Sequence, residues 1–202
     1  GISDGIAKLA MHRLLQPVLH EPHLRLLCHE GEFQPLLGEL ALHKLDAVLA
    51  DRPAPPNPAL KTTSQLLGTS AIAWYAPARW AQAARENFPY SLAQVPLLLP
   101  TEHAAVRARI NHWLEREHIR PHIAGEFEDS ALLSTFAASG MGVMPAPASL
   151  GAHLAQTCAL EWVGTTLDVH EQFHLIYSAR KVMHPLLPRL LAAAADEMLL
   201  NE

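Results

Sequence analysis

Apolar and polar positions along this chain follow a strand, helix, strand order that is met twice. "GIS" leads through Ser3 and Asp4, both good helix caps, into a stretch with Ile6, Leu9, Ala10, Leu14, Leu15 and Val18 on one face. Pro17 should kink that helix near its end. "HLRLLCHE" (His23 to Glu30) reads as a strand, and after Gly31 a helix follows with Phe33, Leu36, Leu37 and Leu40 at i, i+3, i+4 and i+7. "LDAVLAD" (Leu45 to Asp51) is a nearly continuous apolar run, the pattern of a strand covered on both faces. The proline-rich Arg52 to Leu60 stretch suits neither helix nor central strand, and "KTTSQLLG" and "TSAIAWYAP" read as two further strands closed by Pro77.

The same grammar restarts beyond Pro77. "VPLLLP" (Val95 to Pro100) is a buried strand ending at Thr101, a candidate N-cap for a helix with Val106, Ile110, Trp113 and Leu114 on one face. "HIAGEF" is the next strand. The acidic junction Glu126, Glu128 and Asp129 then precedes a helix with Leu132, Leu133 and Phe136, and "GVMP" is a short strand. "EQFHLIYSA" (Glu171 to Ala179) reads as a late strand, and a terminal amphipathic helix from Leu186 to Leu200 carries Leu187, Leu190, Leu191, Ala194 and Met198. Two α/β lobes are the economical reading.

Composition narrows the class. The chain has 202 residues, half of them hydrophobic, and a formal charge of −5, enough to bury a sizeable core as one large domain or two small ones. No stretch approaches the roughly 18 to 20 continuous apolar residues of a membrane span, and no export signal opens the chain, so no membrane partner is expected. Cys28 and Cys158 lack CxxC spacing and fit reduced thiols. The chain begins without methionine in what reads as the second half of a strand, which leads us to expect natural sequence upstream.

"HKLDAVLADRP", "SGMGVMPAP" and the terminal "HPLLPRLL", in this order, resemble the effector-binding region of LysR-type transcriptional regulators. That family often shows an L-D-x-x-I stretch and a G-x-G-[IV]-x-x-[LM]-P stretch at these places. Within the family, "GISDGIAK", "HLRLLCHE", "GEFEDSALLSTFAAS" and "VMHP" look like the activators of bacterial sodium/proton antiporter genes. The resemblance implies the type II periplasmic-binding-protein-like fold, two Rossmann-like lobes with a ligand cleft between them. Lobe I would be discontinuous, residues 1–76 plus 178–202, and lobe II would comprise 77–177, with the chain leaving lobe I near Tyr75-Ala76-Pro77 and returning near Tyr177 to Arg180. The family's N-terminal winged helix-turn-helix is absent from these residues, so promoter DNA would be contacted only through that missing domain. The acidic balance agrees, because phosphate contacts need Lys and Arg.

In open α/β sheets ligands bind beyond the carboxyl ends of strands, where helix N-termini also point. Those ends give the candidate cleft residues Ser3, Asp4, Glu30, Gly31, Glu32, Asp51, Arg52, Thr101, Glu102, Phe127, Glu128 and Asp129. For each taken singly, a helix cap or a solvated loop is the competing explanation. Together they are rich in carboxylates, whose repulsion would favour a cationic ligand, a bound ion or protonation. The effector is therefore a small molecule or an ion, and a sodium or pH signal would suit the antiporter branch. The resemblance also implies cytoplasmic residence and a homodimer or homotetramer. In it the Ile6 to Leu19 helix of one subunit faces the Ala104 to Glu117 helix of its partner, with Met11, Leu15 and Trp113 as contacts or, alternatively, core.

Other chemistries find little support. The 13 histidines include His23 and His29, on one face if their segment is a strand, but no HExxH and no Cys/His quartet occurs; no metal site or cofactor is expected. A pH-sensing histidine is chemically reasonable. There is no GxSxG elbow and no phosphate loop, and the glycines of "SGMGVM" follow a helix, which suits a C-cap. Catalytic residues are none and an enzyme is not expected. The main alternative to a regulator is a free-standing solute-binding protein of the same fold.

Overall fold

A computed structural model of the chain describes residues 1–57, 61–179 and 184–199, with 194–199 described as backbone only. The chain forms two compact units, Gly1–Thr69 with Gln172–Glu202, and Ser70–Glu171. Both crossings between units occur inside strands. Arg180 and the side chains of Ala194 and Met198 lie outside the described set.

In unit 1 the order is β1 (Ile2–Ser3), α1 (Lys8–Leu19), β2 (Glu30–Gly31), α2 (Phe33–Ala41), β3 (Ala47–Ala50) and the first part of β4 (Thr62–Pro77). The end of β8 (Leu160–Ser178) and α7 (Leu187–Leu199) complete it. β1 is parallel to both neighbours, with Ile2 opposite Glu30 on one side and Leu49 on the other. β8 runs antiparallel to β3, pairing Ala47 with Tyr177 and Ala50 with His174. Leu36, Leu37 and Leu40 of α2 pack on Val48, Ala50 and Ile176, so the apolar run at 45–51 is covered as its composition requires.

The expected strand at 23–30 does not form along its length. Only Glu30 and Gly31 pair with β1, preceded by one bond in which Ile2 N–H donates to the His29 carbonyl at 2.8 Å. Upstream, His23 adopts a left-handed φ of 67°, and Leu26 and Leu27 are 46% and 64% exposed.

Unit 2 holds the rest of β4, then α3 (Ala78–Arg85), β5 (Pro96–Pro100), α4 (Ala105–Arg116), β6 (His122–Phe127), α5 (Ser130–Ala138), β7 (Met144–Pro147), α6 (Gly151–Cys158) and most of β8. β4 and β7 are antiparallel, β5 and β6 parallel, and Leu97 bridges Val143. Trp74 and Trp113 anchor the core with ring centroids 6.0 Å apart, and Trp74 Nε1 donates to Thr166 Oγ1 at 3.0 Å. Behind α5, Gly140 takes φ +98°, and a Cβ on Gly142 would sit 2.6 Å from the Pro96 carbonyl oxygen. The "SGMGVM" glycines are thus a helix stop and a close strand approach.

Three further expectations need correction. The two strands expected on either side of Gly68 are one, β4, because Gly68 keeps an ordinary φ and interrupts nothing. The late strand begins earlier, at Leu160 rather than Glu171. The expected caps are displaced by a turn: α1 starts behind Ala7 and α4 behind Ala104, while Ser3 and Thr101 accept from Ile6 N–H and Ala104 N–H through their carbonyls. Each strand end is followed by a tight turn before its helix begins.

Candidate functional site

The carboxyl ends of the parallel strands carry most of the expected ligand residues, in one group per unit. In unit 1, β1 ends at Ser3 and Asp4, β2 at Gly31 and Glu32, and β3 runs into Asp51 and Arg52. Asp4 N–H donates to the Gly31 carbonyl at 3.1 Å, which ties the first two ends together. Ser3 and Asp51 are buried. Asp51 is held by its sequence neighbour, its Oδ1 accepting from Arg52 Nε at 2.9 Å and its Oδ2 from Nη2 at 3.3 Å. The same guanidinium lies 5.3 Å from the centroid of Phe33, so charge pairing and a cation–π contact both fix its plane. Glu30, outermost in the group, is paired by Lys8 from the first turn of α1. Glu32 sits at the N-cap of α2 without a side-chain capping bond.

In unit 2 the ends of β5 and β6 meet directly. Thr101 N–H donates to the Phe127 carbonyl at 3.0 Å. Behind them lies Arg107 of α4, a buried cation that the reading of the sequence did not single out. Its Nη1 donates to the Pro100 carbonyl at 2.6 Å and pairs with Glu126 Oε1 at 2.5 Å, and its Nε donates to Asn111 Oδ1 at 2.9 Å. The Thr101 hydroxyl oxygen is shut from solvent and has no hydrogen-bond partner among the described residues. A buried hydroxyl of this kind is unusual, and a ligand group or a water would complete it. Asp129 caps α5, its Oδ1 accepting from Leu132 N–H at 2.7 Å. Glu102 and Glu128 are exposed. Phe127 packs on Phe136 with centroids 5.0 Å apart.

The carboxylates are therefore less isolated than a list of acids implies. Lys8, Arg52 and Arg107 each neutralise one, and two of these three were missed in the sequence. A signal for Arg107 existed: it falls on the α4 stripe with Val106, Ile110 and Leu114, where a charge is out of place unless it has partners. Among the described residues no group of three or more His, Cys, Asp or Glu is arranged to hold a metal ion, and no helix is long and apolar enough to cross a membrane. Of the positions expected at a subunit contact, Met11 is half-buried, whereas Leu15 and Trp113 are buried inside their own units.

The family model for the LysR substrate binding domain matches residues 1–199. The chain belongs to that family. Among curated relatives, the transcriptional activator protein NhaR of Escherichia coli (strain K12) is 25% identical over 193 residues, which cover 94% of this chain. The chain spans only 62% of that relative's length. Among solved structures, a variant of the OxyR2 regulatory domain from Vibrio vulnificus superposes with a TM-score of 0.74 at 17% identity, covering 97% of this chain and 92% of that one. The effector binding domain of QuiR in complex with shikimate gives 0.66 at 14% identity, covering 98% and 94%. The fold is the type II periplasmic-binding-protein-like fold of LysR regulatory domains.

Proposed function

We propose that this chain is the effector-sensing and oligomerising region of a LysR-type, DNA-binding transcriptional activator, acting in the cytoplasm without catalysis of its own. The observation that carries the reading is the family match along 1–199. It is supported by the two strand-end groups, Ser3, Asp4, Gly31, Glu32, Asp51 and Arg52 in unit 1 and Thr101, Glu102, Phe127, Glu128 and Asp129 in unit 2. In this reading, units 1 and 2 serve as regulatory lobes I and II, and each group supplies candidate effector contacts within its own unit. Promoter DNA is contacted by a winged helix-turn-helix domain outside these residues. A homodimer or homotetramer brings α1 of one subunit against α4 of its partner, which leaves their exposed positions, such as His12 and His112, to make the contact.

The finer proposal is that the signal is sodium or pH, as the resemblance to antiporter-gene activators implies. The exposed carboxylates Glu102 and Glu128 supply charge that a cation or proton would offset. Calorimetry with sodium, lithium and potassium at several pH values tests it on the wild type and Glu128→Gln. An ion-specific heat that the variant loses is expected. Only ordinary screening, equal for the three ions, would abandon the cation signal in favour of an organic effector. Sedimentation tests the oligomer separately, and a monomer at high micromolar concentration would remove it.

A further inference from the structure

From Ser130 to Leu160 the sequence holds no Asp, Glu, Lys or Arg, although α5 opens this stretch and stands at the surface of unit 2. Within the helix, Leu133 and Ala137 are the buried residues. Its outer face carries Ala131, Thr135 and Ala138 in one exposed row, with Leu132 and Phe136 beside them at 53% and 43% exposed. Met141, 37% exposed, extends the apolar surface just past the helix, its N–H donating to the Phe136 carbonyl at 3.2 Å. A helix face turned to water normally presents charge. A continuous uncharged face rimmed by charge is instead the pattern of a contact surface.

The rim has opposite signs at the two ends of the helix. At the N-terminal end Glu128 is exposed, with no hydrogen bond or ion pair among the described residues. At the C-terminal end the exposed Arg79 lies over Gly140, the helix stop, where a Cβ would sit 3.1 Å from Arg79 Cδ and 3.5 Å from Nη1. Its guanidinium stacks 4.9 Å from the Trp80 ring centroid and has no carboxylate partner among the described residues. Turned end for end, this face is complementary to itself. Two α5 helices crossed antiparallel about a two-fold axis bring the small rows together, set Leu132 and Phe136 of each against the other, and carry each Glu128 toward the opposite Arg79. A parallel crossing would oppose like charges, and a partner of one sign would satisfy one end only.

We propose that the outer face of α5 is a self-association surface, pairing antiparallel with α5 of a second copy of this chain and holding Thr135, near the midpoint between Glu128 and Gly140, close to the axis. The surface is separate from the α1 to α4 contact, so a chain using both assembles beyond a dimer. It depends neither on that contact nor on the identity of the effector.

Oxidative cross-linking of the 202-residue chain, with Cys28→Ser and Cys158→Ser as background, tests it. Thr135→Cys should give disulfide-linked dimer about tenfold faster than Ser139→Cys, which an antiparallel crossing holds beyond the roughly 7 Å Cα separation that a disulfide spans. Sedimentation reads the two ends. Arg79→Glu and Glu128→Arg should each weaken association about threefold or more, each pair being made twice, and the two changes together should restore it. Leu132→Lys, at an exposed position outside the core, should weaken it about tenfold. Thr135→Cys linking no faster than Ser139→Cys would overturn the antiparallel pairing, whatever association α1 and α4 provide. Association unmoved by Leu132→Lys, or no rescue in the double charge variant, would overturn the surface.

Discussion

Arg107 Nη1 lies 2.5 Å from Glu126 Oε1, yet the two side chains live in different surroundings, the arginine 6% exposed and the glutamate 47%. The same Nη1 also donates to the Pro100 carbonyl. This one guanidinium therefore binds the carboxyl end of β5 to that of β6, the place where the unit 2 candidates gather. The asymmetry in burial decides which partner matters more. Removing Glu126 leaves a cation that keeps two neutral acceptors. Removing Arg107 leaves the Pro100 carbonyl and Asn111 without their donor.

Arg107→Met is accordingly expected to cost about 2–3 kcal/mol, and Glu126→Gln about 1 kcal/mol or less. Urea denaturation of both variants measures the difference. Equal losses would mean that the ion pair, rather than the bonds to Pro100 and Asn111, holds the edge.

A second expectation concerns Trp113, which packs between Trp74 at 6.0 Å and Phe88 at 6.5 Å, centroid to centroid. Trp113→Ala should cost about 3–5 kcal/mol, as large-to-small changes in a filled core do. The urea midpoint and sedimentation should be read together. Lost association with an unchanged midpoint would return this residue to the subunit contact.

The same residues show what the sequence could and could not say. The run "VPLLLP" was legible as β5 because a covered strand needs near-continuous apolar character, and Leu97, Leu98 and Leu99 are buried there. α4 and α5 were legible from helical spacing. α3 was missed because "ARWAQAAR" buries alanines, Ala81 and Ala84, which carry little hydrophobic contrast. The segment before β2 was misread because its composition suits a strand, whereas strand formation is decided by tertiary context as well as composition. Among the candidate positions, the strand-end rule named Asp51 and Phe127, which stand where β3 and β6 end, but it did not name Lys8 or Arg107. The rule names positions where a chain leaves a sheet, and these two cations reach such positions from helices.

Tyr75 gives a pH dependence with a definite sign. Burial raises its phenol above the ordinary value of 10.0. The folded state thus holds the proton more tightly than the unfolded chain does. The contribution to stability is complete below the unfolded pKa and is lost as pH rises from there through the folded value. Absorbance titration of the phenolates should show one of the three tyrosines ionising late, together with a fall in stability that begins above about pH 10. Tyr75→Phe should remove the late step. It should change stability near neutral pH by under about 1 kcal/mol, because the hydroxyl's bond to the Ala148 carbonyl is long at 3.5 Å.

Asp129 separates two roles for the acidic junction. Its Oδ1 accepts from Leu132 N–H at 2.7 Å, a capping bond that needs an oxygen but no charge. Asparagine offers the same oxygen. If capping is what Asp129 does, Asp129→Asn should be nearly silent in stability, and Asp129→Ala should lose about 1 kcal/mol. Glu128 accepts no such duty in the structure and stands exposed beside it, so any contribution of charge to an ionic signal should fall on Glu128→Gln instead. Thermal melts of all three variants, each with and without sodium at matched ionic strength, read both roles at once. The expected pattern is a lowered melting temperature for the alanine variant alone, with any sodium-specific shift surviving in Asp129→Asn and reduced in Glu128→Gln. A sodium shift abolished by Asp129→Asn at unchanged stability would make this carboxylate a ligand as well as a cap.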